Sequence, residues 1–207
     1  MASALQAADN ALFVFFNSTI SNRVFDVVMP ALTDWHKSPV GLAIAGILIA
    51  LFLWKGGRKA RIVVLLTVVL ILCTDQLSSS VIKFIVERPR PCHTVNGMQV
   101  VPVIHLLVDC GSGYSFPSSH AVNNFGFAFF YSHYYRSYAP YFYGFAALIS
   151  MSRIIVGVHF PSDVAGGAII GMIVAALLIA IWDRIGALVP AVAIRPELPE
   201  YRKRPRS

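Results

Sequence analysis

IVVLLTVVLILCTDQLSSSVIKFIV, residues 62–86, holds a single acid, Asp75, and a single base, Lys83, in an otherwise apolar run. A helix needs roughly 20 consecutive apolar residues to cross a bilayer core, so this stretch reads as a membrane span and sets the class of the whole chain. Asp75 and Gln76 near its middle read as a polar tie between helices, and a proton path is the other use of an acid at that depth.

Composition agrees with that reading. Of 207 residues, 57% are hydrophobic and only 13% charged, about half the charge of an ordinary soluble domain. The formal net charge is +7. Most of the bases lie in short segments between apolar runs, which fits an anionic lipid surface and not nucleic acid. The first ten residues, MASALQAADN, lack the basic start of a cleavable signal peptide.

Outward from 62–86, the basic segment KGGRKAR (55–61) precedes the span and a polar loop, 87–118, follows it. Pro39–Trp54 reads as an earlier span. Later ones run from His120 to about Tyr135, Tyr141 to Val158 and Asp163 to about Ile185. Residues 11–20 and 24–33 are apolar but interrupted by Asn17, Asp26 and Pro30. They read as amphipathic helices at the interface, or as one irregular span. The predicted fold is all-α: a polytopic transmembrane bundle of about five to six helices. It forms one membrane-embedded domain over 1–207, with 1–37 as an amphipathic N-terminal segment and 187–207 as a cytoplasmic basic tail. Eleven of the seventeen Lys and Arg residues fall on one side of this arrangement. The positive-inside bias makes that side cytoplasmic and turns the 87–118 loop outward. Gly167 and Gly171 are spaced for close helix approach.

Three stretches on the outward side carry chemistry. In KFIVERPRP (83–91), Lys83, Arg88 and Arg90 lie at the mouth of a span, and Pro89 and Pro91 stiffen the exit. Snorkelling explains Lys83 well but gives no reason for a rigid backbone. In FPSSH (116–120), Ser118 and Ser119 open a helix whose free N–H groups favour anions, with His120 one step further in. Ordinary serine capping is the plainer account. In SRIIVGVHFPSD (152–163), Arg153, His159 and Asp163 interrupt an apolar sequence. A carboxylate four residues from a histidine can orient a nucleophile, or the pair can simply fix helix packing. Together the three supply Lys83, Arg90 and Arg153 as cations, Ser118 and Ser119 as neutral donors, and His120 and His159 as titratable groups. That inventory suits a phosphoryl group in transfer.

The spacing resembles the type 2 phosphatidic-acid phosphatase superfamily, which also includes vanadium haloperoxidases and bacterial acid phosphatases. Lys83, six residues, then Arg90-Pro91 matches its first motif. Pro117-Ser118-Ser119-His120 matches its second, with serine at position 119 where glycine is usual. Ser152-Arg153, His159 and Asp163 match the third. Serine at 119 leaves open how closely the backbone approaches a phosphate.

The resemblance implies a membrane lipid phosphatase with no metal or other cofactor. His159 would be the nucleophile, Asp163 would hold its ring, and His120 would serve the leaving group and then water. Lys83, Arg90, Ser118, Ser119 and Arg153 would bind the substrate phosphate. Arg88 lies outside the motifs and reads as a headgroup contact or a surface charge. The implied partners are the bilayer and a lipid phosphate or diphosphate on its outer face, in a bacterial cytoplasmic membrane. Undecaprenyl diphosphate is the first choice. Phosphatidylglycerol phosphate, phosphatidic acid and the 1-phosphate of lipid A are the alternatives. Haloperoxidase chemistry fits poorly, because that branch is soluble. A non-catalytic lipid-phosphate binder or transporter would need the cations but not an oriented histidine. Cys92 and Cys110 flank the polar loop and could pair if it faces an oxidising compartment, a point that spacing alone does not decide, while Cys73 reads as packing.

Overall fold

The computed structural model describes residues 2–194, so most of the expected basic tail, from 195 onward, lies outside the described residues. The described residues are mostly helical: α1 (Ala2–Val14), α2 (Arg23–Thr33), α3 (Pro39–Lys55), α4 (Gly57–Val86), α5 (Ser119–Tyr134), α6 (Ala139–Ile155) and α7 (Pro161–Leu188). A small antiparallel hairpin, β1 (Thr94–Val95) with β2 (Met98–Gln99), decorates the segment between α4 and α5.

α4 and α7 are long and apolar enough to cross a membrane, and α3 is a shorter apolar helix. Their outer faces carry Leu42, Ile47, Leu65, Leu72, Ile169, Ile173, Leu177 and Ile181, all exposed. In water such faces would form an apolar patch far larger than a soluble monomer shows. Against lipid they are satisfied. Cys73 belongs to this outward face and not to the packing. The basic segment 55–61 is less a loop than a corner. Lys55 closes α3, Gly56 and Gly57 make the turn with Gly57 at φ +60°, and Arg58, Lys59 and Arg61 already belong to the first turns of α4.

The inner core joins α4, α5 and α7 through Val63, Leu66, Leu70, Phe130, Tyr134, Ala175 and Ile179. α5 and α7 cross almost backbone to backbone. A Cβ on Gly171 would fall 2.0 Å from the Val122 carbonyl oxygen, and one on Gly167 would fall 2.8 Å from that of Ser118. Small residues at a crossing allow this approach. It draws the start of α5 onto the first turn of α7, where the Ser118 N–H donates to the Asp163 carbonyl at 3.1 Å.

The N-terminal segment is joined by specific contacts to the end of the bundle that carries the turn between α6 and α7. Phe13 packs on Phe160, ring centroids 5.6 Å apart, and Met29 packs with Ile155, Val156 and Val158. Asn17 is fully buried. Its amide donates to the carbonyls of His105 at 2.7 Å and Ile155 at 2.8 Å, and its oxygen accepts the His105 N–H at 2.8 Å. Three hydrogen bonds on one buried side chain tie α1 and α2 to the turn between α6 and α7.

Candidate active site

The α6–α7 turn positions the histidine. α6 stops at Ile155, earlier than the Val158 expected from hydropathy, because Gly157 adopts φ +91° and the chain reverses there. Only glycine takes that conformation without strain, and a Cβ would also meet the His105 carbonyl oxygen at 3.0 Å. The reversal places the His159 N–H 3.3 Å from the Arg153 carbonyl, so arginine and histidine sit back to back across the turn. Pro161 then starts α7, and Asp163 caps it by accepting the Phe160 N–H at 2.8 Å.

Asp163 is completely buried and heavily used. Oδ2 takes the Ser115 hydroxyl at 2.5 Å as well as the Phe160 amide, and Oδ1 takes Arg88 Nη1 at 2.7 Å. His159 Nδ1 stands 3.7 Å from Oδ2, close but not hydrogen-bonded. Burial pushes the His159 imidazole down to about 4, against the pull of Asp163, with Arg153 and Arg90 adding to the depression. The ring is therefore neutral at pH 7, with a lone pair free for a proton or an electrophile.

Cations gather beside it. Arg153 Nη1 donates to Thr33 Oγ1 at 2.7 Å, and Arg90 Nη1 donates to the Cys110 carbonyl. Lys83, Arg90 and Arg153 are close enough to repel one another. Burial holds the Arg90 guanidinium below its ordinary value, opposed by Asp163 and Asp109. The Nε of Arg90, the Nε of Arg153 and the Ser118 hydroxyl are all buried without a hydrogen-bond partner. Clustered cations and unpartnered buried donors are what a multiply charged oxyanion would satisfy.

Serine at 119 has its own seat. Its hydroxyl lies 3.3 Å from Ser78 Oγ and 3.2 Å from Ser79 Oγ, both in a π-helical turn (Gln76–Ile82) within α4. The side chain is therefore turned onto α4, and the departure from glycine is accommodated there. His120 Nε2 lies 3.2 Å from the Thr33 carbonyl. Thr33 at the end of α2 thus touches both His120 and Arg153, which brings the second and third motifs together. The disulfide Cys92–Cys110 closes the loop whose carbonyl holds Arg90.

Sequence reasoning missed Arg88, Asp9, Thr33 and Ser115. Arg88 is neither a headgroup contact nor a surface charge. It bridges Asp163 and Asp9, the latter through Nη2 at 2.6 Å, with its guanidinium 4.1 Å from the Phe160 ring centroid. The rigid Arg-Pro-Arg-Pro exit was the one hint of such a role. Asp9 and Thr33 gave no local signal, since their use depends on α1 and α2 folding back.

Residues 63–187 match the family model described as the PAP2 superfamily. A lipid A 4′-phosphatase of Bacteroides thetaiotaomicron is 31% identical over 177 residues, 83% of this chain and 75% of that protein. The crystal structure of LpxE from Aquifex aeolicus superimposes with a TM-score of 0.60 at 25% identity, over 82% of this chain and 93% of that one. The transmembrane PAP2-type phosphatidylglycerolphosphate phosphatase of Bacillus subtilis gives a TM-score of 0.62 at 24% identity over 88% of each chain, a likeness of fold. A match over well over half of the chain, carrying all three motifs, establishes that this protein belongs to the PAP2 superfamily, in its membrane-embedded phosphatase branch.

Proposed function

We propose that this chain is one membrane-embedded domain that hydrolyses lipid phosphates through His159. The observation that carries the reading is a buried, neutral imidazole beside Asp163, with Arg153 and Arg90 near enough to act on it and each holding a buried, unpartnered Nε. His159 Nε2 attacks phosphorus as the bond to the leaving oxygen breaks, and His120 gives that oxygen its proton. Asp163 holds the ring with Nδ1–H inward and stabilises the positive charge of the phosphohistidine. Water then attacks the phosphohistidine and loses its proton to His120, which releases inorganic phosphate and restores His159. Lys83, Arg90, Arg153, the Ser118 hydroxyl and the Ser119 backbone N–H stabilise the negative charge that builds on the equatorial oxygens.

The substrate keeps its tail in the bilayer, which the exposed apolar faces of α3, α4 and α7 accommodate. The site faces the outer side of a bacterial cytoplasmic membrane. The bias of Lys and Arg and the Cys92–Cys110 disulfide on the site's side support this orientation. Undecaprenyl diphosphate leads as substrate because the short chain and the minimal bundle resemble small bacterial phosphatases of that kind. A phosphate of lipid A is the second reading, favoured by the relative of that activity.

The test is phosphate release by detergent-solubilised protein and by His159→Ala. The panel is undecaprenyl diphosphate, phosphatidylglycerol phosphate, phosphatidic acid and lipid A. Wild type is expected to release phosphate, with the variant at background. Equal release by both removes His159 from the chemistry, and none by either on the whole panel favours a binding or transport protein.

A further inference from the structure

We propose that Arg88 is a positioning residue for His159, acting through Asp163, and that Asp9 on the N-terminal helix α1 sets Arg88. This rests on the phosphatase reading above and extends it to two residues outside the motifs.

A fully buried carboxylate that faces a histidine must be held by other donors or it will neutralise or turn. Asp163 Oδ2 is the oxygen nearest His159 Nδ1, and that oxygen already accepts from the Ser115 hydroxyl and the Phe160 amide. Oδ1 accepts from one charged side chain, Arg88 Nη1, at 2.7 Å. Arg88 fixes the far oxygen and so sets the rotation of the carboxylate that presents Oδ2 to the ring.

Arg88 is itself over-determined. Nη1 also donates to the Ser162 hydroxyl at 2.7 Å, while Nη2 donates to Asp9 Oδ2 at 2.6 Å and to Gln6 Oε1 at 3.1 Å. Its guanidinium stacks on Phe160, the neighbour of the histidine. Asp9 also caps the start of α7, accepting the Ser162 N–H at 2.9 Å and the Ser162 hydroxyl at 2.5 Å. The result is a buried line from α1 through Arg88 to the carboxylate beside His159. Both Nη groups are engaged with carboxylates, which leaves Arg88 no free fork with which to grip a substrate phosphate in the manner of Arg90 and Arg153. A lysine could not bridge the two acids, because it is a point charge without a planar fork.

The experiment compares full-length wild type, Arg88→Ala, Arg88→Lys, Asp9→Ala, Asp9→Asn and the Asp9→Ala/Arg88→Ala double variant in one detergent, on the four-lipid panel. It reads kcat and KM separately, together with thermal midpoints. Arg88→Ala is expected to lower kcat about 10- to 100-fold, the loss typical of a charged hydrogen bond removed behind a reacting group, with KM within about twofold. Arg88→Lys should recover part of kcat. Asp9→Ala should cost about 3- to 10-fold in kcat and add nothing further in the Arg88→Ala background, since both act along one line. A rise in KM with kcat intact would make Arg88 a substrate ligand and overturn the proposal, and multiplying effects would overturn the role of Asp9. If Arg88→Ala fails to fold, Arg88→Lys and Asp9→Asn carry the same test. An active wild type with unaffected Arg88 variants sinks this inference alone, and an inactive wild type sinks it along with the phosphatase reading.

Discussion

His159 Nδ1 and Asp163 Oδ2 face each other at 3.7 Å with both side chains buried, so the pair is aligned without being bonded. Burial outweighs the carboxylate and keeps the imidazole unprotonated down to about pH 4. Formation of a phosphohistidine would put positive charge on the ring and draw the two groups together.

That relationship fixes a pH dependence of stability. The folded value of His159 lies below its unfolded value of about 6.5, so the unfolded chain binds more protons between about pH 4 and pH 6.5. Stability should therefore be full above about pH 6.5 and fall as the pH drops toward 4. Thermal midpoints in detergent across that range should show the slope, and His159→Asn should flatten it. An unchanged slope in the variant would assign the titration elsewhere.

The two serines of the second motif should separate. Ser118 carries a buried hydroxyl without a partner, whereas the Ser119 hydroxyl is occupied by Ser78 and Ser79. Ser118→Ala should lower kcat/KM about tenfold, the order expected for a lost hydrogen bond to a charged group. Ser119→Gly should cost about threefold and lower the thermal midpoint through the freer helix start. A larger kinetic loss at 119 than at 118 would reverse the assignment of donors.

The disulfide should matter for binding more than for turnover. Cys92 and Cys110 are 18 residues apart, and the Cys110 carbonyl holds Arg90. Cys92→Ser, or reductant, should raise KM about tenfold and remove on the order of 3 kcal/mol of stability, as for a loop of this length. A thiol count on denatured, unreduced protein should find Cys73 alone. Unchanged KM after verified reduction would show that Arg90 keeps its place without the link.

Much of this was legible from sequence because it is local. The run at 62–86 fixes a span by length and hydropathy, and motif spacing nominates Lys83, Arg90, Ser118, Ser119, His120, Arg153, His159 and Asp163 as the candidate site. Gly167 and Gly171 announce a close crossing by their four-residue interval. What escaped is non-local. Thr33 is an ordinary threonine until α2 lays its end across His120 and Arg153. Asp9 sits in an unpatterned start and gains meaning only when Arg88 reaches it from 79 residues away. Hydropathy also carries a helix through Val158, since it cannot see the backbone reversal at Gly157.

The wide turn at Gln76–Ile82 ends on Lys83, and it therefore governs the azimuth at which that ammonium leaves the helix. Its winding is wider than the roughly 100° per residue of an ordinary α-helix, so the segment sets the bearing of Lys83 relative to the other end of the same helix. The lipid-facing surface of the same helix can change its side chains freely. The number of residues between the Gly56–Gly57 corner and Lys83 then decides whether that ammonium meets Arg90 and Arg153, a condition on length and not on hydrophobicity.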